Sequence, residues 1–205
     1  VLVPSDASAR QLRERIAVAR GEHDQAFLET MSVVPVAQWL AELWDESLPS
    51  RQVLRPIQLL AIAQKIIESS EFFPANCLNS LAIVRQFVDA FQIHAAYCLG
   101  SNREDYLFSA EYQAFFHWRS AMQEALDELD AMSAEQLPAA LSAALPEGLL
   151  QLPARLVLSP LLHLTPATHA FVEQCRAQGV QCFQLDDTPP DAVPSFFRST
   201  QLEHE

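Results

Sequence analysis

The chain has 205 residues, half of them hydrophobic, only four glycines and a formal net charge of −13. Those totals exclude a disordered tail and describe a helix-rich folded protein with a substantial core, as one domain or one domain with an insertion. They also weigh against a free-standing nucleic-acid binder unless the 13 basic residues cluster.

No stretch approaches the ~20 apolar residues of a membrane span, and no basic-apolar leader opens the chain. The first residue is Val1 rather than Met, so the expectation is a processed or trimmed start with sequence missing upstream. Cys77, Cys98, Cys175 and Cys182 form no C-x-x-C pair and no zinc-type spacing. They read as buried thiols in a reducing compartment, which makes the expected location cytoplasmic.

The first element is a short β-type run, Val1 to Val3, followed by turn and cap residues Pro4, Ser5 and Asp6. A helix follows with Ala9, Leu12, Ile16 and Ala19 on one face. The plan repeats at Met31 to Val34, with Pro35 at a helix start and Val36, Trp39, Leu40, Leu43 and Trp44 as a wide apolar stripe. The two tryptophans read as packing rather than as a ligand box.

From Arg51 to about Leu150 the pattern is helical only. Pro56 opens one helix, Asn79 or Ser80 caps a second that Gly100 stops, and Ser109 caps a third running to Met132. A fourth is capped by Ser133 and interrupted by Pro138. Strand signals resume at Leu156 to Leu158, Thr165-Pro166 starts a further helix that Gly179 ends, and Val180 to Leu185 is a last strand.

Few residues offer chemistry. No G-x-x-x-x-G-K-[ST] and no G-x-G-x-x-G occurs, so no phosphate-cradling loop can be assembled. No G-x-S-x-G elbow occurs either, and Pro160 removes the N–H after Ser159 that would build an oxyanion hole. His163 and His169 flank a loop-to-helix junction, but they lack a third metal ligand better placed than Glu173. His94 and His117 sit on long helices without i,i+4 partners, and His23 and His204 stand alone. Asp186-Asp187 reads as a solvated loop start before Pro189-Pro190 rather than a cation site.

Taken together, "VLVPSDASARQLRERI", "MSVVPVAQWLAELW" and "LVLSPLLHLTPATHAFVEQC" resemble the N-terminal part of AddB/RecB-type bacterial helicase–nuclease proteins. The first looks like the strand-helix motif after the ATP-binding loop, with Val3 and Ser5 at its two Thr positions and Arg10 nearby. The second resembles the next strand-helix, Thr-x-His-Ser-Phe-Ala, with Ser32 keeping a hydroxyl and Val34 and Pro35 replacing the His and Ser. The third is similar to the metal-and-water motif, Asp-Glu-x-x-Asp-x-[ST]-Pro. There the acidic pair falls on Ser159 and Pro160 and the later acidic position on His163, while Thr165-Pro166 survives.

The resemblance implies an inactivated ATPase domain that uses no cofactor and no metal, since neither Mg²⁺ nor a triphosphate keeps its ligands. The expected fold is a three-layer α/β RecA-like domain with a parallel sheet, lacking the phosphate loop. Its frame is residues 1–48 and 150–190, with a helical insertion over 49–149 and a polar tail over 191–205 leading to further domains. The expected function is scaffolding and guiding of single-stranded DNA in repair or recombination, through Ser5, Arg10 and Ser32. A downstream nuclease domain or partner subunit would supply exonuclease activity, and no membrane is involved. Two rivals stand beside it. One is a protein-interaction module docking through aromatic-rich helices; the other is a small-molecule enzyme using Asp186, Asp187 or His163 at the sheet edge.

Overall fold

The computed structural model of the chain describes residues 1–22, 32–47, 50–73, 79–100 and 102–185. They form a mostly helical α/β protein with a small parallel sheet. The chain divides into two compact units. One draws on Val1–Ser47, Leu141–Leu164 and the residues from His169 on; the other on Leu48–Ala140 and Thr165–Thr168.

In the sheet unit, β1 (Leu2–Val3) leads into helix α1 (Asp6–Glu22), and β2 (Val34–Pro35) leads into α2 (Val36–Glu46). After the intervening helices come β5 (Arg155–Leu158), helix α7 (Pro166–Ala177) and β6 (Gln181–Gln184). The strand order is β2-β1-β5-β6 and every pairing is parallel. Register runs Leu2↔Val34 and Val3↔Pro35 on one side of β1, and Leu2↔Leu158 on the other. Pro35 cannot donate to a ladder, and it stands on the edge strand, where that deficit costs least.

Ala9, with Val3 and Val33, buries the inner face of α1, and Leu12 and Ile16 pack against them at helical spacing. On α2 the buried face is Trp39, Leu40, Leu43 and Trp44, while Gln38 donates to Glu42 at 2.7 Å on an exposed side. The expected packing role of the tryptophans holds for Trp39, whose ring lies 5.7 Å from that of buried Phe171 on α7. Gly179 has φ of +95° and closes α7, with Val180 N–H donating to Cys175 C=O at 3.1 Å.

The helical unit holds α3 (Pro56–Glu68), α4 (Ser80–Ala96) and α5 (Ala110–Glu128). Its core joins Leu59, Ala63, Ile67, Val84, Phe87 and Met122 with other buried residues from the three helices. Pro56 opens α3, where Gln58 Oε1 also accepts from the Arg55 N–H at 2.9 Å. Asn79 caps α4 and Ser109 caps α5, each accepting a backbone N–H of the first turn.

Two expectations fail here. The unit is not helical throughout: β3 (Gln52–Val53) pairs in parallel with β4 (Ala131–Met132), register Gln52↔Ala131. Two-residue strands carry no readable alternation, and Met132, expected to end a helix, lies in one of them. The helix stops at Glu128 and turns through Asp130, whose φ is +47°. Pro138 does not interrupt the last helix either. It occupies the first turn of α6 (Leu137–Ala144), where a missing N–H goes unnoticed.

Candidate functional site at the carboxyl edge of the sheet

From β1 the chain crosses to β2 on one side and later returns to β5 on the other. Ligands of open α/β sheets settle where strand order reverses in this way, outside the carboxyl ends of the two central strands. Here those ends are Val3, leading to Pro4-Ser5, and Leu158, leading to Ser159-Pro160. Parallel pairing of β1 with β5 puts them side by side, and the Ser159 N–H donates to Leu2 C=O at 2.9 Å.

The hydroxyls at this edge are already engaged in holding the backbone. Ser5 Oγ accepts the Ser8 N–H at 3.3 Å and lies 3.1 Å from Ser8 Oγ, so it caps α1. Ser159 Oγ is 3.4 Å from the Leu161 N–H. The Leu162 N–H donates back to Ser159 C=O at 3.0 Å, closing a turn with Pro160 at the position where a fixed φ is favoured. A strand end that could present side chains to a ligand is thus spent on a tight turn. Thr165 repeats the capping arrangement at the start of α7, with Oγ1 3.0 Å from Thr168 Oγ1 and 3.4 Å from the Thr168 N–H.

Of the residues expected to carry function, the structure gathers Ser5, Ser159 and Pro160 at one edge. Arg10 is exposed on α1, one helical turn beyond Asp6, and His163 is exposed in the loop before α7. Ser32 stands apart. It precedes β2, its carbonyl accepts from the Val1 amine, and register places it on the amino side of the sheet. At about 3.3 Å per strand residue, Ser5 and Ser32 are separated by on the order of 15 Å along the strands.

No family model, curated protein or solved structure matches the chain.

Among the described residues no group of three or more His, Cys, Asp or Glu could hold a metal ion. Asp186, Asp187, His23, His204, Met31 and Cys77 lie outside the described residues. The thiols only partly meet expectation. Cys175 is buried, and burial, with a smaller contribution from Cys182, pushes its pKa up to about 12. Cys182 is half-buried and raised as well, again chiefly by burial, while Cys98 is exposed in a left-handed backbone turn. A thiol held that high is a packing group rather than a nucleophile.

Two features escape a reading of the sequence. Arg13, on the outward-looking side of α1, reaches back to the carbonyl of Val33 and ties the helix to the approach to β2. In the helical unit a cleft of about 450 Å³ is lined by Ser69, Ser70, Phe72, His117 and Trp118 among others. Phe72 and His117 stack there at 4.8 Å, and the Trp118 Nε1–H is buried without an acceptor. Nothing in local periodicity foretells a stack between residues 45 positions apart.

Proposed function

We propose that this chain is a non-catalytic, helicase-like domain of RecA-like type that guides single-stranded DNA within a larger repair or recombination protein. The observation that carries the reading is the direct pairing of β1 with β5. It sets the two segments likened to helicase motifs beside each other at a strand-order reversal. Where the metal-binding carboxylates of such a motif would stand, the chain has the Ser159–Leu162 turn built on Pro160. The order of the elements also fits, with a helical unit inserted in the chain between β2 and β5.

On this reading the loop after β1 meets the DNA backbone, with Ser5 and exposed Arg10 as the contacts. Phosphate contacts of this kind position a strand without reading its bases. Ser32, on the other side of the sheet, drops out of that contact set. The formal charge of −13 sets the expected affinity low, and each phosphate contact made by a cation such as Arg10 adds to its salt dependence.

Titration of a fluorescent single strand, at about 50 and 200 mM salt, tests this beside an ATP-hydrolysis assay. Binding that weakens with salt, drops on Arg10→Ala and proceeds without ATP turnover is the expected outcome. ATP hydrolysis by the chain would sink the reading. So would binding indifferent to Arg10→Ala.

A further inference from the structure

Six large apolar side chains are exposed around one end of the helical unit: Ile93 (54% exposed), Tyr97 (53%), Leu99 (51%), Leu107 (53%), Phe108 (83%) and Tyr112 (56%). Singly, exposed apolar residues are ordinary; a group of them is not. Hydrogen bonds bring these together. Gly100 C=O accepts from Tyr106 Oη at 3.0 Å and lies 3.1 Å from His94 Nε2. Leu99 and Leu107 are the chain neighbours of Gly100 and Tyr106, so the two arms of the loop meet. Gln113 Nε2 reaches Leu107 C=O at 3.4 Å, which draws the start of α5 into the same patch.

Beside the exposed group, aromatic rings are packed against α5. Tyr106 lies with its ring 6.0 Å from Phe115 and 5.4 Å from Phe116, and His94 is 6.2 Å from Phe115. These contacts hold the loop and the end of α4 to α5, and Leu99, Leu107, Phe108 and Tyr112 remain exposed beside them.

Charge sets the kind of partner. Glu104, Asp105 and Glu111 are exposed in the same loop and at the start of α5, against exposed Arg103, while Arg119, further along α5, lies over the Phe116 ring at 5.6 Å. An apolar centre with an acidic rim repels both nucleic acid and a second copy of itself. It complements a surface with an apolar centre and a basic rim.

We infer that this end of the helical unit docks a partner protein through a basic amphipathic helix. The inference is independent of the DNA reading, which concerns the sheet unit. Its probe is a labelled leucine–lysine amphipathic helical peptide, with a leucine–glutamate peptide as counterpart, titrated against the whole chain by fluorescence anisotropy. Binding of the lysine peptide should weaken about tenfold in the Leu107→Ser/Phe108→Ser double variant. Ile57→Ser, which changes an exposed residue on α3, should leave it unchanged. Both variants keep the charge, so loss confined to the double variant identifies the patch rather than bulk attraction to an acidic protein.

Equal affinity for the double variant and the parent chain overturns the inference, as does equal binding of the glutamate peptide. A dimer that forms with rising concentration and dissolves in the double variant also overturns it, since the patch would then serve self-association. Circular dichroism guards the comparison. If the double variant unfolds, Tyr112→Ser alone carries the test, with at least a severalfold loss expected and none contradicting it.

Discussion

The two units of this molecule invest their side chains differently. The helical unit builds a dense aromatic core in which Phe87 alone meets Phe91, Phe115 and Trp118 at ring separations of 5.9 to 6.1 Å. In the sheet unit, at the carboxyl ends of the central strands, hydroxyls cap a helix and close a turn. One region is made to hold its shape. The other closes its two central strand ends, after Val3 and Leu158, with a helix cap and a tight turn. Packing needs volume and periodicity, whereas catalysis needs particular atoms at particular points.

Substitutions can break or sharpen that contrast. The largest effect is expected from Phe87→Ala, which removes a ring that is 3% exposed and should cost about 3–5 kcal/mol in urea unfolding. Phe171→Ala tests the same measure in the sheet unit, since Phe171 is fully buried against Trp39. A loss well under 1 kcal/mol at either site would contradict the packing described. Gly179→Ala should cost about 1–2 kcal/mol, because φ of +95° forces an alanine into a backbone conformation that a Cβ resists. A neutral result in thermal melting would mean that the turn after α7 rearranges freely.

Smaller effects probe the edge and the surface. Ser5→Ala removes the cap of α1 and should cost about 1 kcal/mol. Asp127→Asn breaks the exposed ion pair with Arg51 that joins α5 to the segment before β3, and should cost below about 1 kcal/mol.

His94 gives a pH signature. Burial, reinforced by the charge of Arg119, lowers its pKa below the ordinary histidine value despite the bond to Gly100 C=O, which acts the other way. Since a carbonyl only accepts, Nε2 carries the proton in that bond. The unfolded chain therefore takes up a proton at higher pH than the folded one. The contribution to stability is complete above about pH 6.5 and is lost as pH falls through the lower folded value. Melting temperatures of the parent and His94→Gln, compared across pH 5 to 8, should converge towards the acid end. Parallel curves would contradict the assignment.

Much of this architecture is legible in the sequence, and the reasons are local. Asn79, Ser109 and Thr165 announce their helices because a short polar side chain before an amphipathic run has one good use. Gly179 announces an ending for the same kind of reason. The pairing of β3 with β4 is invisible because two residues hold no alternation, and its partners are 79 positions apart in register. The edge of the sheet is half legible. Strand ends at Val3 and Leu158 follow from their apolar runs, but which ends lie adjacent depends on strand order, a non-local property. Ser32 illustrates the cost. A shift of the strand from Met31–Val34 to Val34–Pro35 moves it from inside the strand to the approach on its amino side.

The central claim is that the carboxyl edge of β1 and β5 meets single-stranded DNA without hydrolysing ATP. Photocrosslinking of a bromodeoxyuridine-substituted single strand to the whole chain, with the adducts located by peptide mass spectrometry, tests it most directly. The account predicts adducts on the segment from Pro4 to Arg10, lost at high salt and unchanged by ATP. Adducts confined to the helical unit, or none at low salt, would contradict it.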